Sequence, residues 1–168
     1  MGLFTIIRDG GSAISNDTSK MRTVLDTNVL FSGLVSPRGA SFHILDLIVE
    51  GECICLATTA LWAEYEEQLS SQRFHQLTLL SIREVDDVLD FLASIVEPVH
   101  NDFVWRGILP DEDDAIVVET AFNGNADALI TFNTGHFQAI GDQVSFRIQH
   151  PGDFLKSWKE HHPWPRRQ

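Results

Sequence analysis

The chain has 168 residues, 43% hydrophobic and 21% charged, with a mean hydropathy of -0.04, a composition that suits one globular domain with a sizeable core. It excludes collagen-like, coiled-coil and mainly disordered chains, and no run approaches the ~20 apolar residues a spanning helix needs. The net charge of -12 is unevenly placed: residues 21–146 carry 5 basic and 20 acidic side chains, residues 147–168 carry 5 basic and 2 acidic. So acidic a body excludes a protein that coats nucleic acid with a basic face. It does not exclude a nuclease whose carboxylates are balanced by divalent cations. The apolar stretch 3–7 is too short for a signal peptide, and the reading is of a soluble cytoplasmic protein without membrane attachment.

In chain order, residues 10–20 have linker composition, so residues 1–20 read as a flexible N-terminal extension before a domain over 21–160 and a basic tail over 161–168. Short apolar runs then alternate with helical periodicities, which predicts an α/β domain around a mostly parallel sheet. A strand over 22–26 leads into a short helix over 28–34, a Ser-Pro-Arg-Gly turn, and a helix over 40–50 stopped by Gly51. The second strand spans 52–57 and contains Cys53 and Cys55, which share a face and read as reduced core residues. Thr58 or Thr59 caps a helix predicted to run to about Ser71, and Ser81 with Glu84 forms a capping box before the next helix. A third strand at 96–99 precedes a polar loop with Pro110, and Asp111 caps a helix reaching Asn123. Strands over 128–131 and 144–148 follow, and Pro151 starts a final short helix. In the basic end, Lys156, Lys159, Arg166 and Arg167 are suited to phosphate.

Open α/β sheets bind ligands beyond the carboxyl ends of their strands, so polar residues there carry the most information. Asp26 ends the first strand between apolar neighbours, where an acid needs a partner, a metal or a helix-capping role. Four successive acids, Asp111 to Asp114, open a helix whose positive end eases their repulsion. Asp114 shares a face with Val118 and Ala121 and points along the apolar seam, while Glu112 and Asp113 are better placed in solvent. Asn133 and Thr131, after the fourth strand, offer oxygens to a hard cation or its waters. The helix after the second strand adds Glu64, Glu66 and Glu67, and periodicity alone does not choose between the flanking pair Glu64 and Glu66. Such carboxylates suit Mg²⁺ or Mn²⁺ and phosphodiester hydrolysis. The chain has no glycine-rich phosphate loop and no Gly-x-Ser-x-Gly elbow. A phosphoaspartate enzyme would need an acid at position 28, which is Asn28.

Four segments, in order, resemble the motifs of the PIN-domain family: Leu25-Asp26-Thr27-Asn28-Val29-Leu30, Ala60-Leu61-Trp62-Ala63-Glu64, Asp114-Ala115-Ile116-Val117-Val118-Glu119-Thr120-Ala121 and Ala126-Asp127-Ala128-Leu129-Ile130-Thr131-Phe132-Asn133. Within that family the chain is similar to VapC-like toxins of bacterial toxin-antitoxin pairs. The resemblance implies a three-layer α/β/α fold and a Mg²⁺- or Mn²⁺-dependent endoribonuclease, with Asp26, Glu64 and Asp114 as catalytic carboxylates and metal ligands. It singles out Glu64 from its helix. Asn133 would complete the metal set, Asn28, Asp111 and Thr131 would support it, and Asp127 would have a structural hydrogen-bonding role. Many family members have Asp where this chain has Asn133, which weakens a second metal site. An RNA substrate, a cognate antitoxin and a homodimer are implied by the same likeness. The alternative is a catalytically weak PIN-like module that binds RNA or protein. Convergence of Asp26, Glu64 and Asp114 in one coordination sphere would separate the two.

Overall fold

In the computed structural model, which describes residues 20–104, 109 and 111–161, strand β1 (Met21–Leu25) lies at the centre of a five-stranded sheet. The others are β2 (Cys53–Thr58), β3 (Glu97–Val99), β4 (Ala128–Ile130) and β5 (Arg147–Gln149), in the order β3-β2-β1-β4-β5 with every pairing parallel. Successive residues Thr23, Val24 and Leu25 are all fully buried, so both faces of β1 are covered, as the helix layers of an α/β/α fold require. From β1 the chain builds outward to β3, then crosses to the other side for β4 and β5. Strand order therefore reverses between β1 and β4, which opens a crevice at their carboxyl ends.

Seven α-helices are described: α1 (Thr27–Val35), α2 (Ala40–Val49), α3 (Thr59–Leu69), α4 (Gln72–Thr78), α5 (Ile82–Ile95), α6 (Glu112–Asn123) and α7 (Pro151–His161). Gly33 lets α1 and α2 approach closely, since a Cβ there would meet Leu45 Cδ1 at 2.6 Å. The predicted capping box is present, with Ser81 and Glu84 each accepting from the other's backbone N–H. Cys53 and Cys55 are buried free thiols, and burial pushes both up to about 12, which leaves them inert as nucleophiles.

The helix predicted to run to about Ser71 ends at Leu69, and a further short helix, α4, not placed from the sequence, follows it. Thr58 caps α3, and Ser71 starts α4 by accepting from Phe74 N–H. The Ser70-Ser71 pair favours a cap over helix interior, and the buried Phe74 ring packs edge-on against Phe31 at 5.4 Å. The last strand is Arg147–Gln149, later than the predicted 144–148, and a 3₁₀ helix over Thr134–Ile140 was not foreseen. The predicted extension over 1–20 and tail over 161–168 lie outside the described residues except for Lys20 and His161, as do Pro110, Arg166 and Arg167. Among the described residues no helix is long and apolar enough to cross a membrane.

Candidate active site

The register of β1 on β4 pairs Leu25 with Ile130, so the next residues, Asp26 and Thr131, emerge side by side at the reversal of strand order. Asp26 N–H donates to Ile130 O at 2.9 Å, and Thr131 Oγ1 donates to Asp26 Oδ2 at 2.7 Å. Asp26 occupies the N-cap position of α1 without a capping hydrogen bond from its side chain. The Thr131 hydroxyl thus makes the well-formed bond to this carboxylate, with the N–H groups at the head of α1 as weaker partners. Burial raises its pKa above the ordinary range, the Thr131 hydroxyl and the N–H groups at the head of α1 pull it back, and the charge of Asp114 raises it further.

Glu64 reaches the same region because its neighbour is anchored there. Tyr65, fully buried, donates its phenol proton to the carbonyl of Leu25, the residue before Asp26, which ties α3 to the end of β1. Glu64 is half-buried and its pKa is raised, first by burial and then by the charges of Asp113, Asp26 and Glu67, while the Thr27 hydroxyl opposes the rise. Glu64 Oε2 and Thr27 Oγ1 are both buried without a well-formed hydrogen bond. A buried carboxylate oxygen left this way suits a cation, since oxygen donors near other acids are what a hard divalent ion takes. Glu66 and Glu67 are exposed surface charges.

Helix α6 supplies the third acid and is fixed to the end of β2 by a buried bond between Thr58 Oγ1 and Thr120 Oγ1 at 2.9 Å. Asp114 is sheltered, with its side chain 13% exposed, whereas Asp111, Glu112 and Asp113 are exposed. Asp111 caps α6 as expected, accepting from Asp113 N–H at 3.1 Å. Asp114 Oδ2 lies 3.0 Å from His136 Nδ1. Asn133 is exposed and binds through its backbone, donating N–H to Thr131 Oγ1 at 3.0 Å, and Asn28 is exposed on the first turn of α1. Asp127 does have a structural role, accepting from Arg22 N–H at 2.8 Å.

The three acids are thus electrical neighbours, but their side chains do not close into one coordination sphere. Among the described residues no three His, Cys, Asp or Glu side chains stand close enough to hold an ion. The convergence expected from the sequence is therefore not seen; Asp26 is bound by Thr131 and Asp114 by His136. Thr27, Tyr65 and His136 were not singled out by sequence. A hydroxyl, a phenol and an imidazole signal nothing until the fold sets them against an acid.

The PIN domain family matches residues 22–135, most of the chain and all of its candidate acids. The chain belongs to the PIN-domain family. PIN domains are as a class nucleases, so the acids at the reversal of strand order belong to a family of phosphodiester hydrolases. An uncharacterized protein of Methanocaldococcus jannaschii is 24% identical over 151 residues, which span 84% of this chain and 94% of that protein. The crystal structure of VapBC2 from Rickettsia felis, bound to a DNA fragment from their promoter, contains a chain with the same fold. It matches with a TM-score of 0.51 at 16% identity, over 77% of this PIN domain protein and 98% of that chain.

Proposed function

We propose that this PIN domain is a Mg²⁺- or Mn²⁺-dependent endoribonuclease, with Asp26, Glu64 and Asp114 holding the ion and Asn133 adding a neutral oxygen. The observation that carries the reading is the unpartnered, buried Oε2 of Glu64 beside Asp26, both carboxylates being raised by burial and by neighbouring acids. Neighbouring acids whose charged forms are disfavoured in this way are relieved by a cation, and the set is all hard oxygen. Water attacks phosphorus, the ester bond opposite breaks, and the leaving oxygen departs with a proton. A bound divalent ion would supply the charge that stabilises this displacement and eases ionisation of the water. The chain's own part is positional. Thr131 keeps one oxygen of Asp26 bound, Tyr65 ties the turn of α3 that carries Glu64 to the end of β1, and Asp114 comes from α6.

The same reading takes the protein as the toxin of a toxin-antitoxin pair, acting in the cytoplasm, held by a cognate antitoxin and dimerising. The Rickettsia felis VapBC2 complex supports a paired existence by analogy of fold. The test is cleavage of a mixed RNA by the purified protein in Mg²⁺ or Mn²⁺, with EDTA and with Asp26→Asn purified identically. Cleavage that needs metal and disappears in the variant supports the proposal. A second reading, a catalytically weak module that binds RNA or protein, is favoured by the separation of the acids and by Asn133. Equal inertness of wild type and variant, with no cation bound, would select it.

A further inference from the structure

His136 lies one residue beyond the span matched by the family and outside every motif discussed above, yet its ring meets a candidate ligand. Nδ1 is 3.0 Å from Asp114 Oδ2, with the Asp114 side chain 13% exposed and that of His136 56% exposed. The acid is the sheltered member, and the imidazole stands at the rim.

A hydrogen-bonded path runs from this ring to the other side of the site. His136 N–H donates to Asn133 O at 3.0 Å, and Asn133 N–H donates to Thr131 Oγ1 at 3.0 Å. Thr131 Oγ1 in turn donates to Asp26 Oδ2 at 2.7 Å. Residues 131–136 therefore grip two acids from distant parts of the chain, one at each end. These acids repel, since the charge of Asp114 raises Asp26. A carboxylate in the first turn of a helix, beside another acid, would otherwise rotate toward water. Held at one oxygen, it has less side-chain freedom to lose when a cation takes the other.

We propose that His136 is a positioning residue which donates Nδ1–H to Asp114 and holds that carboxylate for capture of a divalent cation opposite Asp26. The inference rests on the cation-binding reading above. The neutral imidazole with its proton on Nδ1 suffices. It also assigns a use to the turn around Asn133 that does not depend on the side chain at that position, because Asn133 takes part through its backbone N–H and C=O.

The test is calorimetric titration of the full chain with Mn²⁺, comparing wild type, His136→Ala and His136→Asn, with melting of each metal-free protein as the control. His136→Ala is expected to bind Mn²⁺ roughly 10–100-fold more weakly, the range for loss of an outer-shell partner. His136→Asn, whose amide carries a donor near the place of Nδ1, should recover most of that loss, while all three metal-free proteins melt together. Unchanged Mn²⁺ affinity in His136→Ala would overturn the inference alone, as would an equal loss in both variants or a loss matched by lower metal-free melting. A wild type that binds no Mn²⁺ would overturn the cation-binding reading and this inference with it.

Discussion

The hydroxyl of Thr131 donates to the carboxylate of Asp26 at 2.7 Å across 105 residues of sequence. The bond exists because parallel register sets the ends of β1 and β4 side by side. Thr131 is fully buried and also accepts from Asn133 N–H, so it serves the acid and the turn together. Replacing it with valine keeps the volume but strands two polar groups. Thr131→Val should lower stability by about 1–3 kcal/mol in urea unfolding. It should also reduce metal-supported cleavage by roughly 10–100-fold, while Thr131→Ser retains most of both.

Asp26→Asn should move activity and stability in opposite directions. It removes a charge that burial and Asp114 both disfavour, while an amide oxygen can still accept from Thr131. Metal-free Asp26→Asn is therefore predicted to melt above wild type, by about 2–4 °C for each kcal/mol of strain relieved. Loss of cleavage with a lower melting temperature would mean that Asp26 is structural.

The pH dependence follows from the raised pKa values of Asp26 and Glu64. In the unfolded chain both lose their protons at ordinary carboxylate pH, whereas the folded protein retains them to higher pH. Their contribution to stability is thus fully present below the ordinary range and is lost as pH rises through the raised values. Melting metal-free wild type and the Asp26→Asn/Glu64→Gln double variant between about pH 4 and pH 8 isolates this contribution. The wild type should lose ground to the variant with rising pH. Saturating Mn²⁺ should reverse the trend, because a cation favours the charged carboxylates.

Much of this was legible in the sequence because it follows periodicity and local chemistry. The alternation of strands and helices, the Ser81–Glu84 capping box and the placing of Asp26 at a strand end were all read correctly. Glu64 was separable from Glu66 only by family resemblance. The fold gives a reason in Tyr65, whose phenol anchors that turn of α3 to Leu25. The end of α3 near Ser71 was legible, whereas α4 was not, because its placing falls to Phe74 packing on Phe31. Thr131 was legible as a supporting residue, but its bond to Asp26, like that of His136 to Asp114, depends on strand order and register, which local sequence does not encode.

The central claim is that Asp26, Glu64 and Asp114, from three separate elements, work as one cation-dependent site. The most direct test is the rate of RNA cleavage in Mn²⁺ by Asp26→Asn, Glu64→Gln, Asp114→Asn and the Asp26→Asn/Glu64→Gln double variant. Groups that act as a unit are strongly non-additive. Each single variant should fall to a common floor, by more than the roughly 10–100-fold that loss of an outer-shell partner costs, and the double variant should fall no further. Small losses that multiply in the double variant, or cleavage that persists in EDTA, would contradict the account.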